Sequence, residues 1–545
     1  MWFKCLRQRR ILVRRQGMLR RRSTGIGWGL LLVGILLVFT ASLAVAQDAD
    51  RATKEADSTT LVVAETTSPP TLSTFTTTWT TEPLEDILNK LVSRDAELSY
   101  RDDIAQSWEV SADGLLWTFH LKPGITFHDG TPCDAAAVAW NIETMRDGGA
   151  SSYLYSAVED AVAVDAVTLQ LILKNPKPNL LYNISNSFAG INSPTAVEKY
   201  GEDYGVTTVV GSGPYMFKEW VKGDHITLER NPDYTWGPSW MSNQGPAYFQ
   251  TVIYQFIPEA VTKTMLLQAG EVDIVNEVDS TAIPAFEADQ NVTVSIGSGK
   301  RLIYMGLNVT KAPFDDLLVR QAMGYIVDRV SITENVFNGA GLPAYTFLMP
   351  NDPASVESPY NYDLQMAATL LADAGWTMNE NGVLEKDGQQ FSIILWTESI
   401  TDRVQIATVL QSEMAAVGIK ATIQQFDSGS YGDMFKTGEQ QAFIRLYGWD
   451  DMDILEWFFN SARIGRGVNK TRTDNSLLDF LFVKAEAMPT PEDRTFVYRL
   501  MHEYLLDQSA WVPIFYPAQV RAYRSDLGGF NSTLDHVYVL DLYRK

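Results

Sequence analysis

Residues 447–460 read Tyr-Gly-Trp-Asp-Asp-Met-Asp-Ile-Leu-Glu-Trp-Phe-Phe-Asn. Three carboxylates, Asp450, Asp451 and Asp453, follow directly on Trp449, and Trp457, Phe458 and Phe459 come next. Acidic groups beside flat apolar rings suit a ligand with a cationic end and an apolar body. A carboxylate favours an ammonium through charge-assisted hydrogen bonds, and an indole face adds cation–π attraction. The same residues also suit a plainer role, an acidic loop ahead of a helix that starts near Ile454, with Trp449 in the core. Local sequence favours the plainer role, so the rest of the chain must decide.

Catalytic patterns are absent. There is no G-x-S-x-G nucleophile elbow and no phosphate-binding GK[ST] loop. The five histidines, His120, His128, His225, His502 and His536, are scattered without a close pair. Gly211-Ser-Gly213 is too short for a nucleotide fingerprint and is accounted for by turn geometry. The aspartates after Trp449 lack the spacing and glycine of a calcium loop. We therefore expect no metal and no cofactor, and a binder rather than an enzyme.

The elements that must position the acidic loop alternate between strand and helix. A strand at 443–447 leads into it. Residues 391–396, 401–417 and 419–423 read as a βαβ unit, with Ile406, Leu410, Met414 and Val417 on one helix face and Gly418 closing it. A second βαβ unit is expected over 252–275, its helix ending at Gly270. Residues 107–121 form a hairpin in which Leu115, Trp117, Phe119 and Leu121 share a face and Asp113-Gly114 turns. A helix capped by Asp134 follows, with Val138, Ile142 and Met145 as its buried stripe. Further strands are expected at 61–64, 164–173, 215–221, 225–230, 301–309 and 511–516. Helices are expected after a cap at Asp315, over 363–374 and after Pro491. Such alternation places the chain in the α/β class.

The chain has 545 residues, 46% hydrophobic and 20% charged, which is ordinary for a large globular protein. Its first 46 residues differ. They hold nine basic residues and no acid, then the apolar run 30–39 and Ala44-Val-Ala46. This is the pattern of a secretory signal cleaved after Ala46, with Met18 as an alternative start. The structural rival is an uncleaved N-terminal anchor, since the uncharged run is just long enough to span a bilayer. A polar leader over 48–57 follows. The whole chain has 44 basic and 66 acidic residues, a net charge of −22. Without the nine signal-segment bases, 35 bases face 66 acids, a net charge of −31. Such acidity argues against nucleic acid, whose binding depends on neutralised phosphates, and fits a cationic or zwitterionic ligand. Cys133 is then the lone cysteine, so neither an internal disulfide nor a cysteine zinc site is available.

The motifs also carry a resemblance. Residues 105–132, Ala-Gln-Ser-Trp-Glu-Val-Ser-Ala-Asp-Gly-Leu-Leu-Trp-Thr-Phe-His-Leu-Lys-Pro-Gly-Ile-Thr-Phe-His-Asp-Gly-Thr-Pro, resemble the signature of the family 5 extracellular solute-binding proteins. Val210-Gly-Ser-Gly-Pro-Tyr215, Glu219-Trp220, Arg230-Asn-Pro-Asp-Tyr234 and Gly270-Glu-Val-Asp-Ile274 are similar to its second block. Pro313-Phe-Asp-Asp316, Val319-Arg-Gln-Ala322, Asp328-Arg329 and Leu370-Leu-Ala-Asp-Ala-Gly-Trp376 continue it, in order along the chain.

The resemblance implies an α/β fold like that of type II periplasmic binding proteins, two main lobes plus an inserted third, with the ligand cleft between them. Lobe I would take 47–87, 191–300 and 509–545, the inserted lobe II 88–190, and lobe III 301–508. In peptide-binding members an Asp shortly after a Trp pairs with the peptide amine. Trp449 matches that Trp, but Met452 stands at the usual spacing, with Asp451 and Asp453 on either side. By position Tyr304, Thr397 and Glu398 would also face the cleft, and Phe75 and Trp79 would come from the first lobe. The implied function is capture of di- or oligopeptides outside the cytoplasm, at the periplasmic or extracellular face of the membrane. The bound peptide would be delivered by hinge closure to an ABC importer, the protein acting as a monomer. Binding of an oligosaccharide or metal chelate for the same importer class, or a receptor or enzyme on the same fold, are the alternatives.

Overall fold

Strand Arg301–Leu307 is apolar at almost every position because it is buried on both faces. Ile303, Met305 and Leu307 enter one core, while Leu302 and Tyr304 enter another on the opposite side. Alternating side chains make this unavoidable once both faces are covered. The computed structural model in which this is seen describes residues 59–545 apart from 78–80, 298, 489 and 534–535. The signal segment, the leader and Trp79 lie outside the described residues.

The strand belongs to a six-stranded sheet ordered Gly341–Pro343, Trp511–Pro517, Arg301–Leu307, Ala442–Gly448, Ser392–Glu398, Lys420–Phe426. Ser392–Glu398 and Lys420–Phe426 run parallel in unbroken register, joined by the helix Thr401–Ala416, as the sequence predicts. Ala442–Gly448 lies beside them and ends where Gly448 pairs with Arg301. The acidic loop therefore leaves directly from the end of an inner strand.

A seven-stranded sheet is ordered Val292–Gly297, Gln519–Arg524, Ile274–Val275, Thr60–Glu65, Thr251–Phe256, His225–Arg230, Tyr215–Val221. The second expected βαβ unit forms, but its two strands are not neighbours. Thr60–Glu65 lies between them, parallel to both. The Gly211-Ser-Gly213 segment serves close approach of backbones here rather than a turn alone. A Cβ at Gly211 or Gly213 would stand 2.0 Å from the Ile87 carbonyl oxygen or 2.3 Å from that of Asp86.

The third sheet is antiparallel, ordered Ala105–Val110, Leu116–Leu121, Thr168–Leu173, Val158–Asp165. The helix Ala135–Gly148 covers it through Val138, Ile142 and Met145, and Asp134 accepts N–H bonds from Ala136 and Ala137 at its start. The single strand expected over 164–173 is instead the outgoing arm of a hairpin. The Asp165 carboxylate accepts the Val167 N–H at 2.8 Å, which bends the chain at 166–167. The helix expected after Asp315 is capped one residue later, by Asp316.

Arg329, from the Asp328-Arg329 pair, is the largest side chain that is fully enclosed. Among the described residues it has no acidic partner at hydrogen-bond range. Its guanidinium donates to the carbonyls of Pro513 at 2.8 Å, Tyr360 at 3.0 Å, and Gly324 and Val327 at 3.3 Å each. It thereby ties the strand Trp511–Pro517 to the end of the helix Leu317–Ile326. Arg329→Met should leave these buried carbonyls short of a donor and lower unfolding stability by about 2–4 kcal/mol, read by urea denaturation. A loss under about 1 kcal/mol would show that the carbonyls find other donors.

Candidate ligand site at the Trp449 loop

Three carboxylates in four residues cannot share a buried loop without partners, and the structure supplies a different one to each. Asp451 meets Arg494 in a two-pronged pair, Nη2 to Oδ1 at 2.7 Å and Nη1 to Oδ2 at 3.3 Å. Both side chains are nearly enclosed. Burial opposes ionisation of Asp451, but Arg494 and the hydrogen bonds outweigh it and hold the carboxyl below its ordinary range. Asp451 Oδ1 also accepts the Asp453 N–H at 2.9 Å, so the plainer, turn-closing role is filled too.

Asp450 turns the other way. Its Oδ2 lies 2.9 Å from Arg94 Nη1, an ion pair out of hydrogen-bond alignment, and its Oδ1 accepts the Tyr182 hydroxyl at 2.8 Å. Burial weakens the Arg94 charge, yet Asp450 more than restores it and raises the guanidinium pKa. Arg94 in turn lies over the Tyr182 ring, 5.0 Å from its centroid.

Asp453 receives only hydrogen bonds, from the Trp449 indole N–H at 2.6 Å and the Asn179 amide at 3.1 Å. Burial first, and the neighbouring Asp451 charge second, push its pKa well above the carboxylate range. Of the three carboxyls it is the one whose ionisation the loop disfavours.

The loop thus touches chain far away in sequence. Besides Arg94, Asn179 and Tyr182, the Lys177 ammonium pairs with Glu486, and the Tyr153 and Trp457 rings meet edge to face at 6.1 Å. Trp449 lies against Tyr182 at 5.8 Å and lines two cavities. The first, of about 280 Å³, is bordered by Lys90, Arg94, Lys300 and His536 against a single acid, Glu85. His536 is cationic. Burial disfavours its charge, but Glu82, 2.5 Å from Nδ1, and Asp86, 3.5 Å from Nε2, raise its pKa to about 10. Glu85 is ionised, its pKa lowered to about 2 by Lys90 and His536 against the opposing effect of burial. The second cavity, of about 210 Å³, holds Asp453, Glu456 and Glu486 with Lys177 and Arg463, among Tyr153, Trp457 and Phe482. Four cations and one acid line one side of Trp449; Asp453, the Glu456–Arg463 and Glu486–Lys177 ion pairs and aromatic rings line the other.

Of the residues singled out from the sequence, Trp449 and Asp453 border these cavities, and Asp451 lies beside them, engaged with Arg494. Tyr304 is a correction. Instead of facing a cleft it stacks on Trp511 at 3.8 Å inside the second core, because strand alternation turns it there. Thr397 is also enclosed, and Glu398 pairs with Arg445 at 3.5 Å. Phe75 packs edge-on against Trp140 at 5.9 Å, on the antiparallel-sheet core. Sequence reasoning did not find Arg94, Tyr182, Lys300 or His536. They come from separate segments and carry no local pattern. Among the described residues no three His, Cys, Asp or Glu side chains are grouped to hold a metal ion. No helix among them is long and apolar enough to cross a membrane.

Residues 99–466 match the family described as "Bacterial extracellular solute-binding proteins, family 5 Middle". The chain belongs to this family. The glutathione-binding protein GsiB of Escherichia coli (strain K12) is 27% identical over 455 residues, covering 81% of this chain and 85% of that protein. The oligopeptide-binding protein AppA of Bacillus subtilis, solved with a nonapeptide, is 25% identical with a TM-score of 0.70, covering 89% of this chain and 99% of that one. NikA of Brucella suis, solved with Fe(III)-EDTA, has a TM-score of 0.79 at 22% identity, covering 89% of this chain and all of that one. The fold is that of the type II periplasmic binding proteins of family 5, and the protein is a solute-binding component of an ABC importer.

The Asp451–Arg494 pair should behave as a structural tie. Arg494→Met strands a buried carboxylate and should cost about 3–5 kcal/mol in urea unfolding. Because the folded pKa of Asp451 is depressed, the stability from the pair is complete above its unfolded pKa of about 4 and lost as pH falls through the folded value. The stability gap between wild type and Asp451→Asn should therefore narrow in acid. A gap that widens as pH falls would contradict the pairing.

Proposed function

We propose that the protein captures a short peptide, or a peptide-like zwitterion, and presents it to its importer. The observation that carries this is Asp453, a carboxyl without a cation of its own at the cavity on one side of Trp449, with Lys90, Arg94, Lys300 and His536 bordering the cavity on the other side. A ligand carboxylate is favoured on the cation-lined side, where Lys90 and Arg94 already hold Glu85 and Asp450, and an ammonium is favoured beside Asp453, because Glu456 and Glu486 are already paired with Arg463 and Lys177. Trp449 between them offers its ring to the ligand body. GsiB binds glutathione and AppA was solved with a nonapeptide, so peptide ligands occur among the relatives. Capture takes place outside the cytoplasm, and the Arg94–Asp450–Tyr182 contacts hold the two sides of the site closed over the ligand.

Within the loop, Asp453 is the residue assigned to the amine. Asp451 already has Arg494, and Asp450 has Arg94, whereas Asp453 lacks a cation of its own and its ionisation is disfavoured by burial and by the Asp451 charge. An arriving ammonium supplies that cation and converts Asp453 to the carboxylate, releasing a proton.

A second reading has support in one place. An anionic metal chelate, of the kind seen with NikA, would use the basic cavity alone. Such a ligand would carry its own metal-binding groups.

Thermal-shift screening of residues 47–545 should show stabilisation by free-amine peptides and loss of it on N-acetylation. Asp453→Asn should weaken peptide binding by about tenfold or more. Since binding releases a proton, affinity should rise with pH between the carboxylate range near about 4 and the α-amine range near about 8. Calorimetry in buffers of different ionisation enthalpy reads that proton directly. Equal stabilisation by acetylated peptides, or proton uptake on binding, would reject the assignment of Asp453. Stabilisation by chelates alone would replace the peptide.

A further inference from the structure

Helices Ser476–Glu486 and Pro491–Gln508 form an antiparallel pair. Their facing sides are core: Leu478, Phe482 and Ala485 with Tyr498, Met501 and Leu505. The Phe482 and Tyr498 rings are 6.3 Å apart, and the Asn475 amide donates to the Tyr504 hydroxyl at 2.8 Å, closing the far end. The outer sides are also apolar. Leu477, Phe480, Val483, Phe496, Leu500 and Tyr504 are 37–66% exposed. They recur at steps of three or four residues, so each helix shows one outward stripe, and the two stripes lie side by side. Lys484, over the Phe480 ring at 5.3 Å, is the cation that crosses this face. A grouped apolar surface of this kind on a soluble lobe marks an interaction site rather than scattered exposure.

Two observations select the occupant. First, the face is continuous with the ligand site. Phe482, Val483 and Glu486 line the cavity beside Trp449, and Glu486 takes the Lys177 ion pair across the site. A body seated on the hairpin therefore stands at the edge of that cavity. Second, the rim is acidic. Exposed Glu492 and Asp493 precede Phe496 by four and three residues, and exposed Glu503 and Asp507 follow Leu500 by three and seven, all on the same helix face. A second copy would set acid against acid, and an anionic bilayer surface would repel this rim. The partner that fits is a protein ridge that is apolar along its crest and edged with Lys and Arg.

We infer that this helix hairpin is the docking face for the importer's permease, which meets it with an apolar ridge and a basic edge on its extracytoplasmic side. The inference rests on the importer assignment and does not depend on the solute being a peptide.

The test uses the permease–ATPase complex of the cognate importer in nanodiscs and the binding protein carrying Phe480→Ser with Phe496→Ser. Permease affinity should fall by about tenfold or more, while thermal stability and solute affinity stay at wild-type values. Glu503→Lys with Asp507→Lys should also weaken docking, and added salt should weaken it for wild type. Unchanged permease affinity in both variants would overturn the inference. So would a wild-type dimer in sedimentation that Phe480→Ser with Phe496→Ser abolishes while permease binding persists. Binding of wild type to anionic vesicles that lack the permease would overturn it as well. Because the readout is docking, failure of the peptide reading leaves this result interpretable.

Discussion

The site depends on how two arginines are shared among three neighbouring carboxylates. A buried carboxylate needs a cation or must take up a proton. Arg494 satisfies Asp451 from within the same half of the site, and Arg94 satisfies Asp450 from the other half. That leaves Asp453 with hydrogen bonds alone and its ionisation disfavoured. The arrangement orients Trp449, whose indole N–H is spent on Asp453, and so sets the ring between the two cavities. An extra arginine near Asp453 would occupy the place proposed for a ligand amine. One fewer would leave the loop unable to remain buried.

The sheets make that sharing possible. The loop begins at the end of Ala442–Gly448, an inner strand held on both sides by hydrogen bonds. Its start is fixed by the Trp449 N–H bond to the Lys300 carbonyl at 3.0 Å, just ahead of strand Arg301–Leu307. A rigid strand end presents a short loop with little freedom, which limits the entropy lost when ligand and facing segments are ordered around it. The facing residues Lys177, Asn179 and Tyr182 come from the segment after the antiparallel sheet, so burial of the loop depends on that segment. AppA and NikA share this fold while their structures hold a nonapeptide and Fe(III)-EDTA. Ligand chemistry must then reside in the side chains at the cavities, not in the sheets.

Much of the framework was legible because its signals are local. Alternation at Leu115, Trp117, Phe119 and Leu121, the Asp134 cap and the βαβ unit of residues 392–426 each depend on residues within a few turns of one another. The errors were where a nearby polar group or a second buried face intervened. Asp165 bends a run that otherwise reads as one strand. Tyr304 reads as a binding residue from its place in the chain, but a strand covered on both faces has no open side to give it.

The acidic loop shows the division most plainly. From residue types alone, the loop, its aromatic neighbours and the family were readable, since all rest on contiguous sequence. Which aspartate pairs with Arg494, which takes the Tyr182 hydroxyl and which is left with hydrogen bonds alone depended on contacts across 43, 268 and 274 residues. Coulomb interaction and desolvation act over a few ångströms of space, whatever the distance along the chain. The identity of each carboxylate's partner was therefore decided only when the lobes came together.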